Sequence, residues 1–333
     1  MTAWWAKIDR FLLAMLVAVI AALVWPAPGE DGGFLHLDLV TPFGIALVFF
    51  LHGVFLSPAA MKAGAAKWRL HLAVQATTFV LFPIVGGFLY WATAGFLPIG
   101  SRVGVYFLCA VPSTIASSVA MTAMARGDVP SAVVNASASG LIGMIVTPLL
   151  MQAIDVAGGQ PIALMPAITG ILLTLGLPFA LGQALRSLII ARLAPHKSKV
   201  SALDRLTILL IVYSAFCETT ASGLWHQVSP WQLLATGAIA FGVLIVMLGF
   251  TGVLARAMGL TRAERATLIF CGSKKSLASG APMAKVMFAG DPHAGLIQLP
   301  LILYHQIQLV VCTMLASRMA REAAARERGG ANP

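Results

Sequence analysis

Charge is what this chain has least of. Only 10% of its 333 residues are charged, against about a quarter in an ordinary soluble domain, and acidic side chains number just 12. With 59% of residues hydrophobic and a mean hydropathy of +0.89, composition alone excludes a water-soluble protein and gives an integral membrane one. Cysteine is nearly as scarce. The four present, Cys109, Cys217, Cys271 and Cys312, lie in apolar segments without paired metal-ligand spacing, so they read as small buried hydrophobes. His-Glu-x-x-His, Gly-x-Ser-x-Gly and Walker-type sequences are missing, which removes the metal-hydrolase, serine-hydrolase and nucleotide signatures. Only a Ser/Lys pair could imitate a nucleophile and base here, and no enzymatic activity is expected. No polar stretch is long enough to fold as a separate soluble domain.

What the chain does have is apolar runs. Crossing about 30 Å of hydrocarbon takes roughly 20 helical residues, and ten candidates reach or approach that length: 9–26, 36–57, 70–95, 102–125, 129–155, 162–191, 203–224, 230–257, 264–288 and 296–320. Several contain Gly, Pro or polar residues, which membrane helices tolerate when neighbours satisfy the freed backbone groups. The first run has a basic flank at Lys7 and small residues at Ala27 and Gly29, features that a signal peptide shares. Removing it would leave an odd number of spans.

The net charge of +10 and a pI near 9.9 raise the question of a nucleic-acid partner, and the distribution of the cations answers it. Placed on ten spans, Lys7, Arg10, Lys62, Lys67, Arg69, Arg126, Arg186, Arg192, Lys197, Lys199, Arg205, Arg256, Arg262, Arg265, Arg318, Arg321, Arg326 and Arg328 share one side, and Arg102 alone stands on the other. That asymmetry is the positive-inside bias, with both termini cytoplasmic in a cell's inner membrane. The expected partner is the lipid bilayer rather than a nucleic acid, and the basic tail from Arg318 to Pro333 reads as solvated or in contact with lipid headgroups.

Lys274, Lys275 and Lys285 fall inside the ninth segment. A lysine at the centre of a bilayer helix costs at least about 2.5 to 3.5 kcal/mol, so it faces a protein interior or a water-filled path and marks function. Laying the fourth segment on the ninth at an offset of 162 residues matches Cys109, Ala116, Ser117 and Met121 to Cys271, Ala278, Ser279 and Met283. The match joins the fourth span of one five-helix half to the fourth of the other. Because five is odd, the halves have opposite orientations. Both segments are interrupted, by Pro112-Ser-Thr114 with Ser117-Ser118 and by Gly272-Ser-Lys-Lys-Ser276 with Ser279-Gly280 and Pro282. Inverted repeats with paired broken helices point to a secondary transporter whose site lies near the midplane. The organisation expected is all-α: residues 1–155 as the first repeat, 162–322 as the second, and 323–333 as a cytoplasmic tail.

Ala125-Arg-Gly-Asp128 and above all Phe270-Cys-Gly-Ser-Lys-Lys-Ser-Leu-Ala-Ser-Gly280 resemble the bile acid:sodium symporter family, in the branch of its seventh human member and of bacterial SBF-like proteins. The resemblance implies a core group of helices with crossed, broken fourth and ninth spans, a panel group that rocks against it, and a cleft between them for an amphipathic organic anion. It also implies candidate binding positions at Ser113, Thr114, Ser117, Ser118, Ser131, Asn135, Thr78, Ser273, Lys274, Lys275 and Ser276. Where sodium-coupled members carry a glutamate, this chain has Phe270; where they carry Gln and Asn, it has Lys274 and Lys275. A cation site that loses its carboxylate and gains ammonium groups repels sodium.

The expectation is therefore a transporter in which a lysine replaces the bound cation, hydrogen-bonding Ser117, Ser118, Ser131 or Asn135, with sodium-independent or proton-linked coupling. No cofactor is expected, and the assembly is expected to be a monomer or homodimer. Glu218, an intramembrane carboxylate, is the candidate partner for a cleft lysine or a proton, whereas Lys285 reads as snorkelling towards the membrane surface. His305, Gln306 and Gln308 read as ordinary polar packing. A membrane regulator of ion homeostasis that does not transport, and a conventional sodium symporter, are the alternative functions.

Overall fold

The computed structural model describes residues 10–30, 32–64, 66–154 and 163–329, and every regular element among them is helical. Arg10–Val24 is α1, Leu37–Phe55 is α2, and Pro58–Gly64 is a short α3. Trp68–Ala92 is α4, followed by α5 (Ile99–Ala110), α6 (Ala116–Met124) and α7 (Val129–Gln152). Leu164–Ala184 is α8. Then come α9 (Arg186–Leu193), α10 (Lys197–Ala221), α11 (Pro230–Ala257), α12 (Arg262–Gly272), α13 (Leu277–Met287) and α14 (Ala294–Gly329).

Seven of these, α2, α4, α7, α8, α10, α11 and α14, are long and apolar enough to cross a membrane. The outer surface suits that setting. Leu39, Phe43, Phe88 and Leu188 are exposed, and Trp25, Trp68, Trp91 and Trp231 stand near helix ends, where amphipathic indole rings favour the boundary of the bilayer. The run at 9–26 gives only the 15 residues of α1. Segments 102–125 and 264–288 each divide into two helices, α5 with α6 and α12 with α13, at gaps of irregular backbone over 111–115 and 273–276. Pro112 with polar residues marks the first gap in the sequence, and Gly272 with Ser273 to Ser276 marks the second. The last helix continues past the expected 320 to Gly329, so the first part of the basic tail is helical.

The helices form two packing groups. In one, α2 packs on α8 and α10, and α10 packs on α1. Gly53 of α2 and Gly182 of α8 allow the first contact, since a Cβ on either would run into the other helix's backbone at Phe179 or Phe50. Small residues that let backbones approach are the usual adhesive between membrane helices. In the other group, α5 lies on α4 and α14, α12 lies on α4, α6, α7 and α11, and α13 lies on α14. The groups meet where α10 touches α13 and α14 and where α8 touches α7 and α13.

Candidate functional site

The gaps in the two broken segments face each other and are stitched together by the backbone groups that each break frees. A helix end leaves four carbonyls without intrahelical donors, and at α5 and α12 those carbonyls are buried. Ser113 Oγ donates to the Cys271 carbonyl at 2.7 Å, Ser118 Oγ to the Phe270 carbonyl at 2.9 Å, and Ser276 N to the Pro112 carbonyl at 2.9 Å. From α14, Tyr304 Oη donates to the Ser273 carbonyl at 2.6 Å. Gln308 clasps the residue between: its Oε1 accepts from Lys275 N at 2.9 Å and its Nε2 donates to the Lys275 carbonyl at 2.7 Å.

Lys275 fills the centre of this crossing. Its ammonium donates to the carbonyls of Cys109 and Val111, each at 2.8 Å, and of Thr78 at 3.0 Å. It also stands 4.1 Å from the centroid of the Phe82 ring, a favourable cation–π position. Cys109 and Val111 lie at the C-terminal end of α5, where the helix dipole attracts a cation. The Thr78 carbonyl is available for a chain-specific reason. Over Thr77–Leu81 the backbone of α4 widens into a π turn, and Phe82 N bonds back to the Thr77 carbonyl. In that pattern the donor for Thr78 would come from Pro83, which has no N–H.

Lys274 is equally buried, yet among the described residues its ammonium has no hydrogen-bond partner. Neither lysine bonds the side chains expected to receive it. Ser117 donates to Thr114 at 3.3 Å. Ser131 caps α7 with Asp128: its N and Oγ donate to that carboxylate at 3.2 and 2.6 Å. Asn135 Nδ2 donates to the Ser131 carbonyl at 2.9 Å, and the Asn135 backbone carbonyl accepts from Gln75 Nε2 at 3.0 Å. Ser273 Oγ returns to Ile269 at 2.5 Å, and Ser276 Oγ caps α13 by accepting from Ser279 N at 3.0 Å. The structure thus brings Ser113, Ser118, Thr78, Lys275 and the backbone of Ser273 and Ser276 together. The side chains of Ser117, Ser131 and Asn135 spend their hydrogen bonds within one helical turn.

Glu218 belongs to a second cluster. Lys285 Nζ donates to its Oε1 at 2.9 Å, and Ser214 Oγ lies 3.2 Å from the same oxygen and 3.3 Å from the ammonium. Lys285 is therefore paired rather than snorkelling. A third cluster sits at the ends of α4, α7 and α12, where Lys67 contacts Asp128 and Glu264 at 2.9 Å each. Asp128 N also bonds the Ala263 carbonyl at 3.2 Å, and Thr267 Oγ1 bonds the Asp128 carbonyl at 3.0 Å, so Asp128 joins α7 to α12. The hydrogen bond to Asp128 holds the Lys67 ammonium above its ordinary range. Burial pushes the Asp128 carboxyl up, but hydrogen bonds from Ser131 and Lys67 pull it below its ordinary range overall.

Gln308, Tyr304 and Lys285 escaped the sequence reading as site residues. Tyr304 and Gln308 stand one helical turn apart, which puts them on one face. Spacing alone could have paired them, but not named the gap they meet.

Helices suited to crossing a bilayer, with polar side chains sealing two buried gaps in the backbone, define a multi-pass membrane protein built as transporters are. The chain belongs to the SBF-like CPA transporter family, whose profile matches residues 9–321, a family of transporters rather than enzymes. It is 45% identical over 314 residues to "Uncharacterized protein PA2026" of Pseudomonas aeruginosa, covering 94% of this chain and 93% of that one. It is 39% identical over 319 residues to "Putative symporter YfeH" of Escherichia coli, with 95% and 94% covered. "Sodium/bile acid cotransporter 7" of Mus musculus is 26% identical over 332 residues, with 97% and 96% covered. The family read from Phe270 to Gly280 is thus the one to which the chain belongs.

Proposed function

We propose that this protein is a secondary active transporter that moves a small or amphipathic organic anion across a cell's inner membrane by alternating access, with Lys275 as a built-in cation in place of coupled sodium. The observation that carries the reading is the Lys275 ammonium among the Thr78, Cys109 and Val111 carbonyls, a set of oxygens that would suit a small cation. A fixed ammonium there supplies the charge without an ion from solution and opposes sodium by repulsion. Transport is then sodium-independent or proton-linked.

In this reading ten spans form two inverted repeats, 1–155 and 162–322, with both termini and the tail 323–333 in the cytoplasm. Support comes from a reciprocity in the crossing. Ser113 bonds the carbonyl of Cys271 and Lys275 bonds that of Cys109, and each partner is displaced from its counterpart by the same 162 residues. The group containing α5, α6, α12 and α13 acts as the core. The group of α1, α2, α8 and α10 acts as the panel, and the seam between them is the path.

The test is uptake of cholate, the bile acid suggested by the relatives' names, into vesicles carrying the purified chain. Uptake should persist when sodium is replaced by potassium and should follow an imposed pH gradient or the substrate's own gradient. Uptake driven by sodium alone overturns the lysine reading, and the absence of flux for every organic anion tried overturns the transport reading.

A further inference from the structure

A groove of about 520 Å³ runs between α4 and α11, on the outer face of the core group and between helices that do not build the seam. Leu72, Val80 and Ile84 of α4 and Phe250 of α11 line it with exposed side chains, and its floor is made of the small residues Ala73, Ala76 and Thr77. One end differs from the rest. Trp68 and Arg69, the first residues of α4, border the groove there and are both exposed. From Arg69 to Ile84 a helix rises about 22 Å, and one leaflet of a bilayer with its headgroups is about 20 to 22 Å deep. The groove therefore has the length of one lipid. Its polar end is also basic: Lys67 is shared by Asp128 and Glu264, and Arg69, Arg256, Arg262 and Arg265 stand at the neighbouring ends of α4, α11 and α12, so cations outnumber those two carboxylates. An arginine fork matches two phosphate oxygens, and an indole beside it favours the level of the headgroups.

We infer that this groove is the site of one anionic phospholipid from the leaflet beside the basic loops, with its phosphate on Arg69 and an acyl chain laid along α4. A zwitterionic headgroup brings its own cation to a basic end, so the net charge of the lipid decides its affinity. The acyl chain crosses the π turn over Thr77–Leu81, whose Thr78 carbonyl holds Lys275. Thr77, in the floor of the groove, also lies against Gly272, where the second gap opens. A bound lipid thus braces the crossing of the broken helices from outside.

The experiment is binding of phosphatidylglycerol to the purified full chain in a neutral detergent, read by native mass spectrometry, with phosphatidylcholine as the reference and thermal unfolding in parallel. Phosphatidylglycerol should bind more tightly than phosphatidylcholine and raise the melting temperature further. Arg69→Gln changes an exposed side chain and should weaken phosphatidylglycerol about tenfold, the scale of one charge-assisted hydrogen bond, bringing it close to phosphatidylcholine. Ala76→Phe fills the floor without altering charge and should weaken both lipids and remove the thermal gain. Lys62→Gln removes an exposed cation of α3, outside the groove, and should leave binding as in wild type. Five results overturn the inference: equal affinity for the two lipids, a loss in Lys62→Gln as large as in Arg69→Gln, a thermal gain produced by inorganic phosphate without lipid, bound phosphatidylglycerol with no thermal gain, or a dimer that Ala76→Phe splits, which places a second copy of the chain in the groove.

Discussion

Lys275 divides its ammonium among three carbonyls and an aromatic face, while its neighbour Lys274, also fully buried, has no hydrogen-bond partner for its own among the described residues. Both lie in the irregular backbone between α12 and α13. The two substitutions should therefore behave oppositely. Lys275→Met leaves the Thr78, Cys109 and Val111 carbonyls without this donor and should cost about 1 to 3 kcal/mol, the penalty for leaving a buried acceptor unsatisfied. Lys274→Met removes a buried ammonium that has no hydrogen-bond partner among the described residues and should be neutral or stabilising. Thermal unfolding of the purified variants measures both, and equal losses would contradict the asymmetry. Asp128 supplies a residue-scale dependence on pH. Its folded value is depressed from an ordinary 3.8, so its contribution is complete above that ordinary value and is lost as pH falls through the folded one. Lys67 is raised from an ordinary 10.5, so its contribution is complete below that value and is lost as pH rises through the folded one. Melting temperature should be level between these limits, and Asp128→Asn should flatten the acid flank.

At the scale of the element, the breaks are where sequence was most informative. Pro112-Ser-Thr114 and Gly272 to Ser276 read as interruptions, and the backbone is irregular at both. The π turn in α4 precedes Pro83 just as a second one, over Leu172–Gly176, precedes Pro178; what was not legible is the dependence of Lys275 on the carbonyl this frees at Thr78, a contact across 197 residues of chain. Pro83→Ala tests that dependence. Giving position 83 an N–H allows the ladder to compete for the carbonyl and should cost about 1.5 to 3 kcal/mol, the scale of a charged hydrogen bond. The same change should cost almost nothing in a Lys275→Met background. Additive losses in the double-mutant cycle would show that the two features are independent. Polar residues near the site were recognisable by type but not by partner. Ser131 and Asn135, spaced on one helix face, use their hydrogen bonds for the start of α7 instead of for a lysine.

For the whole molecule, what matters is whether the two groups move as units. Gly53 and Gly182 hold α2 against α8, and Asp128 with Lys67 and Glu264 ties α7, α12 and α4, so each group has internal ties of its own. Across the seam, Gly170 faces Val286. Cysteines at these two positions should form a disulfide on oxidation, and substrate uptake should then stop and return on reduction. Uptake that continues in the oxidised protein would mean that this part of the seam does not open.

The sequence by itself determined the membrane setting, the helical class, the positions of the two breaks and the family, because each depends on composition or on residues close together in the chain. Hydropathy counts side chains, and proline and glycine act on their own backbone. Only the tertiary structure decided which lysine is satisfied, which carbonyls satisfy it, and that Lys285 belongs to Glu218. Those outcomes depend on direction and distance between segments far apart in sequence, where a shift of a few ångströms makes or breaks a hydrogen bond.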